Sequence, residues 1–322
     1  MSPWLIALEL AALFSGGRGP LEHVVPPPSV PSLRASACGE CHAAIFDAWR
    51  GSRHAQAWSN RLFAVSFKRE PMRWCVSCHA PLGSALADEG VSCAACHVRG
   101  GRVLGARPAS ARALRAHPVR VEPALARAEF CGGCHQFNFP SAAPPFHYRD
   151  EPMQDTLAEW RGSRAAREGR TCQACHLDGH RFPGGHDRAL VGRAVSLAVE
   201  RRGAHVLLTA RADGAAHRVP TGDPFRRLRV ELCAEPRCDE PLARPIFARV
   251  FRPDGDSWTL DADRTIPVAA AGATAERTVD VPLPAPPPIL YWRLIYAYAA
   301  PSTEPDLDGD DLEIELSRGH SP

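Results

Sequence analysis

Five copies of Cys-x-x-Cys-His stand in one chain: Cys38–Cys41–His42, Cys75–Cys78–His79, Cys93–Cys96–His97, Cys131–Cys134–His135 and Cys172–Cys175–His176. Two thiols three residues apart, with an imidazole next to the second, are what c-type haem attachment requires. The thiols add across the haem vinyl groups, and the histidine reaches the iron as proximal ligand. With 12 Cys and 14 His in 322 residues, composition alone gives roughly 0.02 copies. A zinc knuckle uses Cys-x-x-Cys but does not require His at the next position. A thioredoxin-like redox pair occurs once, after a strand. The expected cofactor is therefore five covalently bound haem c. The ten motif cysteines are the attachment points, and His42, His79, His97, His135 and His176 are the proximal ligands.

The sixth ligand decides the chemistry. Methionine raises the potential of a haem, but only Met72 and Met153 follow Met1, and the one lysine is Lys68. Nine histidines lie outside the motifs: His23, His54, His117, His147, His180, His186, His205, His217 and His320. Mostly bis-His, low-spin haems are expected. Irons filled on both faces pass electrons and do not bind substrate.

The nine candidates are unequal. His54 follows His42 by twelve residues, on a predicted helix that carries it toward another haem. His117, in Ala-His-Pro, lies in a loop between the third and fourth motifs. His180 is four residues past His176, too near to reach the opposite face of that haem, so His186 is the better ligand of the two. His217 opens a turn at the tip of a predicted hairpin, and His147 sits beside Tyr148 in a Pro-rich loop. The expected distal set is His54, His117, His186, His217 and His147. His205 reads as a strand residue, and His23 and His320 as solvated ends. No catalytic residue is assigned.

The supporting elements follow from spacing. Successive motif histidines are 37, 18, 38 and 41 residues apart. That leaves too little protein between motifs for an ordinary apolar core, so the haems themselves must be the core. Phe46-Asp-Ala-Trp-Arg-Gly-Ser-Arg-His54 is echoed by Leu157-Ala-Glu-Trp-Arg-Gly-Ser-Arg-Ala165, each suited to a short helix before the next motif. After about residue 190 short alternating runs separated by Gly, Pro and Asp take over, the pattern of antiparallel strands. The expected fold is mainly α, a haem-packed N-terminal multihaem domain plus a C-terminal antiparallel β-sandwich-like domain. The boundaries are 1–23 for a signal-like segment, 24–190 for a pentahaem cytochrome c domain and 191–322 for the β-domain. Cys233 and Cys238 either close a small disulfide or stay as two buried thiols.

A net charge of +2 implies no nucleic-acid partner. Trp4 to Phe14 is apolar like the core of a signal peptide, although Glu9 interrupts it and no basic segment precedes it. In bacteria haem joins this motif outside the cytoplasm. A periplasmic or otherwise exported protein is therefore expected, its N-terminal segment either a signal or an uncleaved tether.

The haem half resembles the multihaem cytochromes c related to hydroxylamine oxidoreductase, nearest in style to their tetrahaem electron-transfer partner cytochromes. The matching segments are Trp49-Arg-Gly-Ser-Arg-His54, Gly90-Val-Ser-Cys-Ala-Ala-Cys-His97, Phe130-Cys-Gly-Gly-Cys-His-Gln-Phe137, and Gln154-Asp-Thr-Leu-Ala-Glu-Trp160 running into Thr171-Cys-Gln-Ala-Cys-His176. They span about residues 36–190. The resemblance implies closely stacked haem pairs, and a distal role for His54 on a haem other than the one before it. Catalytic relatives carry a haem ligated by Lys or crosslinked to Tyr. This chain has no Cys-x-x-Cys-Lys, and Tyr148 is the single tyrosine of the haem half. The function expected is electron relay between redox partner proteins of a respiratory chain. The alternatives are a reductase or oxidase of a small nitrogen or sulfur compound at one open haem, and a docking subunit of a membrane-associated complex.

Overall fold

The computed structural model describes residues 30, 32–141, 147–255, 257–269, 274–299, 307 and 312–322. The signal-like segment 1–23, with the residues that follow it up to 29, lies outside the described residues. Helix and strand occupy near-equal shares, 30% and 31%. That overturns the expectation of a mainly α fold with a β-sandwich-like domain appended. The strands are spread over five sheets of two to four strands, and two of those sheets lie between haem motifs in the sequence. The connections between motifs, read as short helices and loops, contain Val98–Arg99, Arg102–Gly105 and Val119–Val121. These are too short to show a strand period in the sequence.

Contacts divide the chain into two compact units. One runs to Phe137 and takes in Arg170–Pro183; the other comprises Asn138–Gly169 and Gly184 onward. All five Cys-x-x-Cys-His motifs fall in the first.

The first unit is built from short helices. They range from five residues in Ala35–Gly39 to nine in Arg61–Arg69. Isolated helices of this length are marginal in water, and local caps help them. Asn60 accepts the Phe63 N–H at 3.0 Å, and Ser110 accepts that of Ala113 at 3.2 Å. Four of the five motifs end a helix on their histidine: Arg73–His79, Cys93–His97, Ala128–His135 and Cys172–His176. The first differs, because Ala35–Gly39 stops inside the motif and His42 leads into Ala43–Arg50. On a helical turn, positions i, i+3 and i+4 share one face. The motif spacing thus presents both sulfurs and the imidazole to one side.

The second unit is sheet. Glu276–Pro282, His205–Arg211 and Ser196–Arg202 form one antiparallel sheet. Glu313–Ser321, Leu290–Ala297, Arg227–Cys233 and Ile246–Phe247 form another. Alternation sets the inner face: Val206, Leu208 and Ala210 are buried while their neighbours are not. Glu231 is buried on the central strand and meets its cross-strand register partner Arg293 at 2.5 Å and Arg229 at 3.0 Å. A buried carboxylate held by two guanidiniums is the paired arrangement such a charge needs. Cys233 and Cys238 form a disulfide that closes the turn after Arg227–Cys233.

Candidate haem sites

In the first unit, imidazoles come in facing pairs, each joining a motif histidine to one from outside the motifs. The ring centres of His42 and His117 are 6.3 Å apart. Those of His54 and His135 are 6.4 Å apart, and those of His97 and His180 are 6.2 Å apart. A metal bonded about 2 Å from an imidazole nitrogen on either side, with roughly 1.1 Å from nitrogen to ring centre, gives about 6.3 Å. No group of three or more His, Cys, Asp or Glu converges as for a bare ion among the described residues.

Backbone carbonyls orient three motif histidines. His79 Nδ1 donates to Ala57 O at 2.7 Å, His97 Nδ1 to Leu104 O at 2.9 Å, and His176 Nδ1 to Pro183 O at 2.7 Å. A carbonyl can only accept, so each Nδ1 carries the proton and each Nε2 keeps its lone pair for a metal. Burial holds His54 down to about 4. Burial also lowers His97 and His180. These rings are neutral, the form that ligates. His117 Nδ1 is buried with no hydrogen-bond partner.

The placement of His54 is over-determined. Its carbonyl accepts the Val91 N–H at 2.8 Å, and the buried indole of Trp49 donates to Val91 O at 2.9 Å. Gly90 has φ +57°, and a Cβ there would lie 2.5 Å from His54 O. Only glycine fits that approach. The helix Ala43–Arg50 and the turn after it are thereby fastened to the segment entering the third motif. Phe182 packs edge-on to His54 at 4.4 Å and to His180 at 5.8 Å, forming a wall shared by two sites. His79 is stacked face-on by Phe63 at 3.8 Å, backed by Trp58 and Phe67.

None of the ten motif cysteines is paired in a disulfide. Three neighbouring pairs join different motifs. Cys38 is hydrogen-bonded to Cys93 and held down to about 7 by that contact. Cys134 is hydrogen-bonded to Cys78, and Cys131 to Cys172. The attachment points therefore adjoin first to third, second to fourth, and fourth to fifth.

Among the expected distal ligands, His54 and His117 face motif histidines. His180, passed over in favour of His186, also does. It faces His97 of the third motif, not His176 four residues before it. His147, His186 and His217 belong to the second unit. There His186 stacks on Tyr298 at 3.8 Å, His217 Nδ1 donates to Arg218 O at 2.9 Å, and His147 is exposed beside Ser141.

Fold and site together define a class. The donor set fits haem c: paired sulfurs on one helix face, a protonated Nδ1 behind the ligating nitrogen, and a facing imidazole at metal-spanning distance. The family described as cytochrome c554 and c-prime matches residues 37–100. The fold is similar to the crystal structure of a penta-heme cytochrome c552 from Thermochromatium tepidum, with TM-score 0.69 and 20% identity. That similarity covers 92% of this chain and 100% of the other. A comparison with curated proteins finds no match. The five attachment motifs, the family match over residues 37–100 and the shared fold support a multihaem c-type cytochrome with covalently bound haem.

Proposed function

We propose that this protein is a five-haem electron relay of the periplasm, or of another exported location, serving redox partner proteins of a respiratory chain. The observation that carries this reading is the set of facing imidazoles at 6.2 to 6.4 Å. An iron held between two imidazoles is coordinatively filled, and when bound the group takes up and gives up one electron at a time. His42 with His117, His54 with His135, and His97 with His180 are the axial pairs proposed for the first, fourth and third motifs. For the second and fifth, His79 and His176 are the proximal ligands. Kinship with the cytochromes related to hydroxylamine oxidoreductase is part of this proposal, supported by the Trp-x-x-Ser-x-His helix and its anchoring of His54.

The test is EPR of the fully oxidised protein, repeated after reduction in the presence of nitric oxide, with whole-protein mass to count haems. Five haems, low-spin signals throughout and no nitrosyl adduct are expected. His54→Ala should then add one high-spin component that takes up nitric oxide, while the other signals persist. A nitrosyl adduct in the unmodified protein overturns the relay reading in favour of a small-molecule reductase or oxidase. A mass short of five haems overturns the haem count.

A further inference from the structure

Between Val98 and Val121 the chain carries six arginines and no Asp or Glu. One of them, Arg99, is turned inward and donates to Ala94 O at 3.3 Å and to Val98 O at 2.6 Å. Arg102, Arg107, Arg112 and Arg115 are exposed, and Arg120 is half-buried, 3.9 Å from Glu122. The fold gathers these residues into one small module. Val98–Arg99 pairs antiparallel with Arg102–Gly105, and Arg102–Gly105 pairs parallel with Val119–Val121. The helix Ala111–Ala116 is the crossover between the two parallel strands. A spacing of three places Arg112 and Arg115 on one side of that helix. The same module serves two of the proposed axial pairs. Leu104 O orients His97 of the third motif at 2.9 Å. His117, directly after the helix, faces His42 of the first motif with ring centres 6.3 Å apart.

We propose that this arginine module is the docking surface for an acidic redox partner protein, which exchanges electrons with the haems of the first and third motifs. The inference rests on the five-haem reading and names the partner's chemistry. Like charges gathered on one small module make a positive field that attracts an oppositely charged surface and speeds its encounter. Arginine suits the task, because its guanidinium stays charged and its planar fork matches the geometry of a carboxylate. Charge alone would also draw an anionic lipid surface or a second copy of this chain. A redox protein is favoured because the module itself carries His117 and orients His97, so whatever docks there sits on the elements that hold two irons. One electron leaves the reduced centre of the partner and takes a ferric haem iron to ferrous; no bond is made or broken.

The experiment follows reduction of the whole haem-loaded protein by stopped flow. The probe is a flavodoxin hydroquinone, a small acidic one-electron donor; reduced free riboflavin is the donor without an acidic surface. Haem at each motif is checked by peptide mass. Arg107→Gln, Arg112→Gln and Arg115→Gln together remove three charges from the module. Arg202→Gln, Arg237→Gln and Arg252→Gln together remove three exposed charges from the second unit. At low ionic strength the module variant should react with flavodoxin about tenfold more slowly than the unmodified protein, and the gap should close as salt is raised. Its reaction with riboflavin should be unchanged, and the second-unit variant should keep the unmodified rate with both donors. An unchanged flavodoxin rate in the module variant overturns the proposal, as does equal slowing in both variants, which marks a general effect of net charge. Slowing with riboflavin as well, together with a shifted haem spectrum, overturns it in favour of arginines that neutralise haem propionates. Sedimentation and flotation with phosphatidylglycerol vesicles test the other occupants. A salt-sensitive dimer or vesicle binding that only the module variant loses, with its flavodoxin rate intact, assigns the surface to a second copy or to lipid and overturns the partner reading. A peptide map without haem at the first or third motif breaks the underlying five-haem reading, separately from the docking.

Discussion

The two units hold themselves together by different means. Every large side chain that is fully buried belongs to the second unit, among them Phe247, Leu208, Leu228, Leu232, Ile266, Leu290, Leu294 and Ile295. The first unit buries mostly alanine: Ala35, Ala80, Ala87, Ala94, Ala95, Ala124 and Ala128. Burying a Leu or Phe side chain contributes about 1.5–3 kcal/mol, whereas a methyl gives far less. The helices of the first unit are also too short to stand alone. On the proposed five-haem reading, the first unit gets its apolar core from the cofactor. Its folding is then coupled to attachment, as metal binding is coupled to folding in small metal-dependent domains.

The largest effect should come from withholding haem. Produced without haem attachment, the chain should lose protection from protease throughout the first unit. The strands from Ser196 onward should survive as a resistant fragment with a β-type circular dichroism spectrum. Mass spectrometry of a limited digest reads this directly. A digest in which Ala35–His135 resists cleavage without haem would mean that the protein part of this unit is self-sufficient, and the contrast would collapse.

A smaller effect separates the units from the other side. Phe247 is fully buried at the edge strand of the four-stranded sheet. Phe247→Ala should cost the second unit about 3–5 kcal/mol through lost burial and the cavity left behind. Urea unfolding followed by far-UV circular dichroism should shift its midpoint down, while the Soret band follows its original course. If the Soret transition moves by the same amount, the units unfold as one cooperative body and the contrast holds only in composition.

What the sequence reveals tracks the same contrast. The motifs are local, with all three functional atoms within five residues, so the attachment points could be read directly. His54 drew attention through its spacing after His42 and the echoed segment that carries Ala165 instead, whereas the Gly90–Val91 segment that holds its carbonyl is distant in the chain. His180 could not be read in this way. The ring it faces, His97, is 83 residues away in the chain, and only tertiary structure supplies such a neighbour. His186, preferred on spacing, stacks on Tyr298, over a hundred residues on. The strands after residue 190 showed their alternation plainly, as at Val206, Leu208 and Ala210. The three strands between the third and fourth motifs, two to four residues long, had no period to show. That omission is why the helix share was overestimated.

The echoed segments allow the finest test, because the same small structure occurs once in each unit. Ser52 Oγ accepts the Ala55 N–H at 3.2 Å, and Ser163 Oγ accepts the Ala166 N–H at 3.1 Å. Both hydroxyls are buried. Each therefore satisfies a backbone donor that the turn would otherwise leave unpaired. Replacing either by alanine should cost about 1 kcal/mol, measured by chemical denaturation of each variant. The two turns carry different residues onward, since Ser52 leads to the imidazole of His54 and Ser163 leads to the methyl of Ala165. Ser52→Ala should therefore also broaden or shift one low-spin EPR signal, that of the iron proposed between His54 and His135. Ser163→Ala should leave every signal in place. Equal spectral changes in both variants would mean that the turn does not position His54. A change in Ser52→Ala alone would mean that one capping hydroxyl serves stability in both units and ligand geometry in only one.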